Sequence, residues 1–129
     1  MGQVPNYVVV GNGRMAKNFC HYLKALRIKH RQWTRNCSNN IANIINADTN
    51  IALAISDAAI EPFVQSNPCL SQGQMILHFS GALKTPLAHC VHPLMSFTTT
   101  LYQEDIYLKI IFILDKEGPI FEELLPGFP

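Results

Sequence analysis

The sequence predicts an α/β domain on a mainly parallel sheet, in three layers with an abbreviated first half. Three observations predict it. Apolar runs of strand length, such as Tyr7–Val10, Ile51–Ile55 and Leu108–Leu114, alternate with segments of helical periodicity. Hydrophobic residues make up 48% of the 129 positions and charged residues 15%, enough to bury the core of a single domain spanning residues 1–129. A glycine turn, Gly11-Asn12-Gly13-Arg14-Met15-Ala16, joins the first strand directly to the first helix.

Each element follows from its residues. Tyr7–Val10 reads as the first strand. Arg14–Leu26 reads as the first helix, with Met15, Phe19, Tyr22, Leu23 and Leu26 on its apolar side and Lys17, His21 and Lys24 on its polar one. Ile28–Trp33 reads as a second strand carrying Lys29, His30, Arg31 and Gln32. Central parallel strands are near-continuous apolar runs, so this one is expected at a sheet edge blunted by charge. Ser38 is placed to cap a short helix over 39–46, with Ile41, Ile44 and Ile45 on its apolar side. Only one helix fits between the second strand and Ile51–Ile55, which leaves little room for a strand beyond the second. A loop and helix over Asp57–Gln65 carries Pro62 near its start. Gln74–Phe79, a short Leu87–Val91 and Leu108–Leu114 complete the strands. Pro119 opens a last helix with an apolar seam of Ile120, Phe121, Leu124 and Leu125.

Composition narrows the function. A net charge of +1 leaves no electrostatic footprint for nucleic acid or an anionic membrane. No apolar run approaches the ~20 residues of a membrane-spanning helix. Met1-Gly2-Gln3-Val4-Pro5 shows no basic segment leading into a long apolar one, so a cytoplasmic location is expected. Cys20, Cys37, Cys69 and Cys90 are too scattered for a disulfide framework. His89-Cys90-Val91-His92 alternates between two faces of a strand and does not make a metal site.

The glycine turn carries the chemistry. Strand, G-x-G-x-x-A and helix form a dinucleotide-binding fingerprint in the Rossmann-like manner. Gly11 permits the tight turn, Gly13 lets a pyrophosphate approach the backbone, and Ala16 lets the helix pack close. Backbone N–H groups of Gly11, Gly13, Arg14 and Met15 are then expected to hold the pyrophosphate, with Asn12 beside them as a cofactor contact. In parallel sheets ligands lie beyond the carboxyl ends of the strands. Those ends carry Thr34-Arg35-Asn36, Ser56-Asp57 and His78-Phe79-Ser80-Gly81. An acidic residue near Arg35, which lies 24 positions after Gly11, would hold the ribose hydroxyl of NAD, yet none occurs between Val4 and Asp48. Arg35, helped by Thr34 and Asn36, instead suits a 2′-phosphate, so NADP is favoured. Ser56 and Asp57 either meet the cofactor through their backbone or leave Asp57 as a helix cap. His78 reads as a satisfied core residue. His92, held extended by Pro93, is the proton shuttle candidate beside Ser80.

Four segments together are specific: Gly11–Ala16, Ala54-Ile55-Ser56-Asp57-Ala58-Ala59-Ile60, His78-Phe79-Ser80-Gly81-Ala82, and His92-Pro93-Leu94-Met95-Ser96-Phe97. From Tyr7 to Pro129 the chain resembles the N-terminal Rossmann-like domain of a group of uncharacterised oxidoreductases. That group is related to 6-phosphogluconate dehydrogenase, pyrroline-5-carboxylate reductase and the deazaflavin-dependent NADP reductases. The resemblance implies an NADP-binding domain whose cofactor and substrate cleft is lined by Ser80, Gly81, His92 and Pro93. It also implies a second, helical domain that closes the cleft and dimerises; Leu125-Pro126-Gly127-Phe128-Pro129 resembles the junction to it, and residues 1–129 are expected to hold the dinucleotide-binding domain without that second one.

The expected function is hydride transfer between NADP(H) and a small carbonyl, imine or hydroxy substrate, with Ser80 and His92 nearest the reacting carbon. A non-catalytic dinucleotide-sensing or interaction module is the alternative, and a flavodoxin-like domain for another phosphate ligand is the third. NADPH absorbance with candidate substrates separates the first two; co-purifying flavin marks the third. Self-association is expected through the C-terminal apolar seam.

Overall fold

The computed structural model describes residues 6–37, 40–46, 48–71, 75–93 and 112–114. Six strands form one sheet: β1 (Asn6–Val10), β2 (His30–Trp33), β3 (Thr49–Leu53), β4 (Ile76–His78), β5 (His89–Pro93) and β6 (Phe112–Leu114). Their spatial order is β2-β1-β3-β4-β5-β6. The first five run parallel, and β6 pairs antiparallel with β5. The charged strand β2 lies at the edge, where its polar residues cost least. Among the described residues two α-helices connect strands, α1 (Arg14–Ala25) and α2 (Asp57–Ser66). The result is an α/β domain with a largely parallel, mixed sheet, broadly consistent with a Rossmann-like fold.

Alternation along the strands divides the core in two. Tyr7, Val9, Ala52, Leu77 and Val91 pack with Ala16, Phe19, Tyr22 and Leu23 of α1. Val8, Val10, Ile51, Leu53 and Ile76 pack with Ile60 of α2 on the other face. Tyr7–Val10 of β1 and Ile51–Leu53 of β3 are therefore apolar at successive positions, as strands covered on both sides must be. Phe19 anchors an aromatic group under α1, with Phe79 at 4.6 Å and Tyr7 and Tyr22 both at 6.1 Å between ring centroids.

Several boundaries differ from the sequence reading. The helix expected over 39–46 is a single 3-10 turn, Ile41–Asn43, capped by the Asn40 side chain on the Ala42 N–H. Its asparagines compete for backbone hydrogen bonds and favour turns over further helix. Ser38 lies outside the described residues. β3 sits two residues earlier than expected, because its register against Asn6–Val10 sets its ends. β5 likewise runs to Pro93. Ser56, not Asp57, occupies the N-cap position of α2. The helix expected from Pro119, with its seam at Ile120, Phe121, Leu124 and Leu125, lies outside the described residues. No helix among the described residues is long and apolar enough to cross a membrane.

Gly11 is where the sheet is least tolerant. Its φ is +132°, and a Cβ there would stand 2.2 Å from the Ala54 carbonyl oxygen. Gly11→Ala is expected to cost more than about 2 kcal/mol of stability, through strain and through parting β1 from β3. Urea unfolding of the variant measures it, and an unchanged midpoint would contradict the packing described.

Burial raises the titration of the Tyr7 hydroxyl, only partly offset by Asn50. Burial and then the neighbouring Tyr7 raise that of Tyr22. A raised value means that the native state keeps a proton which the unfolded state loses above about pH 10. Stability is then intact below that pH and falls above it, by about 1.4 kcal/mol per pH unit for each tyrosine. Urea titrations at alkaline pH are expected to show this fall, and Tyr7→Phe to halve the tyrosine part of the slope.

Candidate functional site

The chain runs from β1 outward to β2, then returns across β1 to β3. Between β1 and β3 the connections leave toward opposite faces, and a crevice opens at the carboxyl ends. There the Gly11 N–H donates to the Trp33 carbonyl at 2.9 Å and the Ala54 N–H to the Val10 carbonyl at 2.8 Å. A cleft of about 1210 Å³ opens above these bonds. It reaches from Trp33 on β2 to His92 on β5, four strand spacings or roughly 19 Å.

The middle of the cleft is built from two helix starts. Gly13 is the N-cap of α1, in ordinary extended geometry with φ −89°. A Cβ on Gly13 would meet nothing within 4 Å. No side chain caps α1, and its first turn holds no acid. Among the described residues, then, no side-chain cap and no acid of its own first turn offsets its leading N–H groups and the positive end of its dipole. Ser56 at the N-cap of α2 also makes no side-chain cap. Gly11, Asn12, Gly13, Arg14, Met15, Ser56 and Asp57 all line this part.

At the β2 end lie Thr34 and Arg35, with Arg35 exposed. They belong to a turn closed by Cys37, whose N–H donates to the Thr34 carbonyl at 3.0 Å. The Thr34 N–H donates to the Cys37 Sγ at 3.3 Å. This bond, the Thr34 hydroxyl and the charge of Arg31 lower the titration of the exposed thiol. Trp33 and Phe63 make an apolar wall, their rings 5.9 Å apart, with Pro62, Ser66 and Asn67 beside them. The sequence reading missed this wall, because nothing in the spacing of α2 says which β-strand end its side faces. It also missed Gln32, whose Nε2 donates to the Gly11 carbonyl at 2.7 Å and ties β2 to the glycine turn.

Ser80 and His92 lie at the far end, with Phe79 and Pro93. The Ser80 hydroxyl donates to Asp57 Oδ2 at 2.8 Å. Its oxygen accepts from the Ala82 N–H at 3.2 Å and the Leu83 N–H at 3.0 Å. One donor and two lone pairs are thereby all engaged. The His92 Nδ1 lies 2.9 Å from the Phe79 carbonyl oxygen. His78 is buried, and its Nδ1 accepts from the Ser80 N–H at 3.2 Å.

One cleft therefore brings together Gly11, Asn12, Gly13, Arg14, Met15, Thr34, Arg35, Ser56, Asp57, Ser80 and His92. Asn36 and Gly81 are not among its lining residues: Asn36 is exposed in the turn, and Gly81 lies against the His92 ring. Among the described residues no cluster of His, Cys, Asp and Glu is arranged to hold a metal ion.

Ser80 ties the loop after β4 to the start of α2. Ser80→Ala removes the acceptor of two loop N–H groups and is expected to cost about 1–3 kcal/mol. Chemical denaturation measures it, and a change below about 0.5 kcal/mol would show that these bonds hold nothing together. Comparison of the chain with protein-family models yields no match, and comparison with curated proteins yields none.

Proposed function

We propose that the domain binds a dinucleotide, NADP(H), across the crevice between β1 and β3 and serves hydride transfer to a small carbonyl, imine or hydroxy substrate. The observation that carries this reading is Gly13. Neither backbone conformation nor packing calls for glycine there, since its φ is ordinary and the space of a Cβ is open. A ligand that needs to touch the backbone does. The uncapped start of α1 would hold the pyrophosphate on the N–H groups of Gly13, Arg14 and Met15. The strand order supports the same reading: β2-β1-β3-β4-β5 matches the doubly wound order less its outermost strand, with antiparallel β6 added beyond β5.

Two ends about 19 Å apart suit a two-headed ligand. Trp33, Pro62 and Phe63 offer an apolar surface for a base, and Arg35 with Thr34 a charged one for the 2′-phosphate beside it. Met15, Phe79 and His92 flank the other end. The bound nicotinamide supplies or accepts the hydride. His92 would move the accompanying proton. Ser80, its hydroxyl engaged by Asp57, would shape the wall on which His92 stands.

Two measurements test the reading. Gly13→Val is expected to keep the fold yet abolish NADPH binding in calorimetry; a valine variant that binds normally would refute the cradle. Arg35→Ala is expected to weaken NADPH about tenfold or more, the worth of a charge-assisted contact of about 1.5–3 kcal/mol. NADH affinity is expected to stay level, and equal losses for both nucleotides would remove the 2′-phosphate assignment.

A further inference from the structure

Gly81 stands in the loop after β4, facing β5. A Cβ on Gly81 would lie 2.8 Å from His92 Nε2 and 3.0 Å from both Cδ2 and Cε1. The near-equal distances place that Cβ above the ring plane. An approach within the plane would leave Cδ2 and Cε1 much farther away than Nε2. The ring therefore lies with its face on Gly81, and the in-plane lone-pair direction of Nε2 is not blocked by it. Backbone conformation does not call for glycine here, since Gly11 alone among the described glycines has positive φ. The imidazole face does.

The other side of the ring is fixed too. The Phe79 carbonyl only accepts, so the Nδ1 facing it at 2.9 Å carries the hydrogen. The neutral ring then keeps its lone pair on Nε2. The described hydrogen bonds engage His92 only through Nδ1.

We infer that Gly81 is a positioning residue for His92. Its missing side chain lets the imidazole rest on the loop with Nδ1–H on the Phe79 carbonyl, so that His92 is preset as a proton acceptor at Nε2 on the cleft wall. The ring geometry stands by itself; only the use of that acceptor toward a ligand rests on the nucleotide reading. Gly81 thus serves the site through His92 and not as a cofactor contact of its own.

Nitrogen-15 NMR of the free protein tests the geometry without any ligand. In the wild type, His92 is expected in the Nδ1–H tautomer, with an Nδ1–H signal protected from exchange. In Gly81→Ala the methyl group displaces the ring, and that signal and tautomer are expected to be lost. A Gly81→Ala protein with the same His92 tautomer and protection would overturn the inference. If Gly81→Ala alone does not fold, Gly81→Ala/His92→Ala is expected to fold as His92→Ala does, since the clash is gone; a double variant that stays unfolded would overturn it equally. NADPH titration adds the site. The double variant is expected to bind within about twofold of His92→Ala, because both changes act on one group. Losses that multiply would mean that Gly81 meets the ligand itself. Wild type that binds no NADPH would refute the nucleotide reading and leave the NMR result to judge the ring.

Discussion

The close approach of two backbones governs the architecture of this domain. β1 ends at Gly11 and β3 ends beside Ala54, and the Ala54 carbonyl occupies the place where any side chain at position 11 would begin. That contact sets the register of the two central strands and the direction in which the chain leaves each one. α1 departs to one face of the sheet and α2 to the other, and the crevice between them is the cleft. A helix start stands on each side of it. Moving one strand end by the width of a methyl group would part the strands and misplace both.

The same geometry explains how the core is divided. Because successive strand residues point to opposite faces, Val8 and Val10 serve the α2 side while Tyr7 and Val9 serve the α1 side. The aromatic group around Phe19 then joins β1, α1 and Phe79 just past β4, and Tyr22 reaches Phe112 of β6 at 5.6 Å. The strands whose ends form the cleft are thus held from both sides. The loops above them are left to be shaped by polar bonds: Gln32 to Gly11, Ser80 to Asp57, His92 to Phe79. Apolar packing places the strand ends, and these few bonds aim the groups that the ends carry.

Much of this was legible in the residues. The run Tyr7–Val10 and the glycines after it imply a buried strand leading into a helix, because few other conformations suit that order of residue types. The charges of Lys29 and Arg31 imply an edge, since a central strand would bury them. The candidate site was legible where the chain is continuous, at Gly11–Met15. It was less so where the site draws on distant segments. Ser80 reads in sequence as a group near the reacting carbon, yet its hydroxyl has three partners that include a carboxylate 23 residues away. Gly81 reads as a residue of the cofactor cleft, yet it lies against an imidazole on the next strand. Trp33 reads as a strand residue and is also part of the cleft wall, because α2 brings Phe63 beside it.

The sequence by itself determined the alternation of strands and helices, the edge character of β2, the sharp turn at Gly11 and the convergence of polar residues at strand ends. These are local matters, decided by side-chain periodicity, charge and the conformational range of glycine. Only the tertiary structure decided the strand order, the antiparallel seating of β6, the shift of β3 and β5 from their expected bounds, and which atoms of Ser80 and His92 are already engaged. Those outcomes depend on register and on contacts between segments far apart in the chain. A pattern of residue types specifies which face of a strand is buried. It does not specify the neighbour against which that face closes.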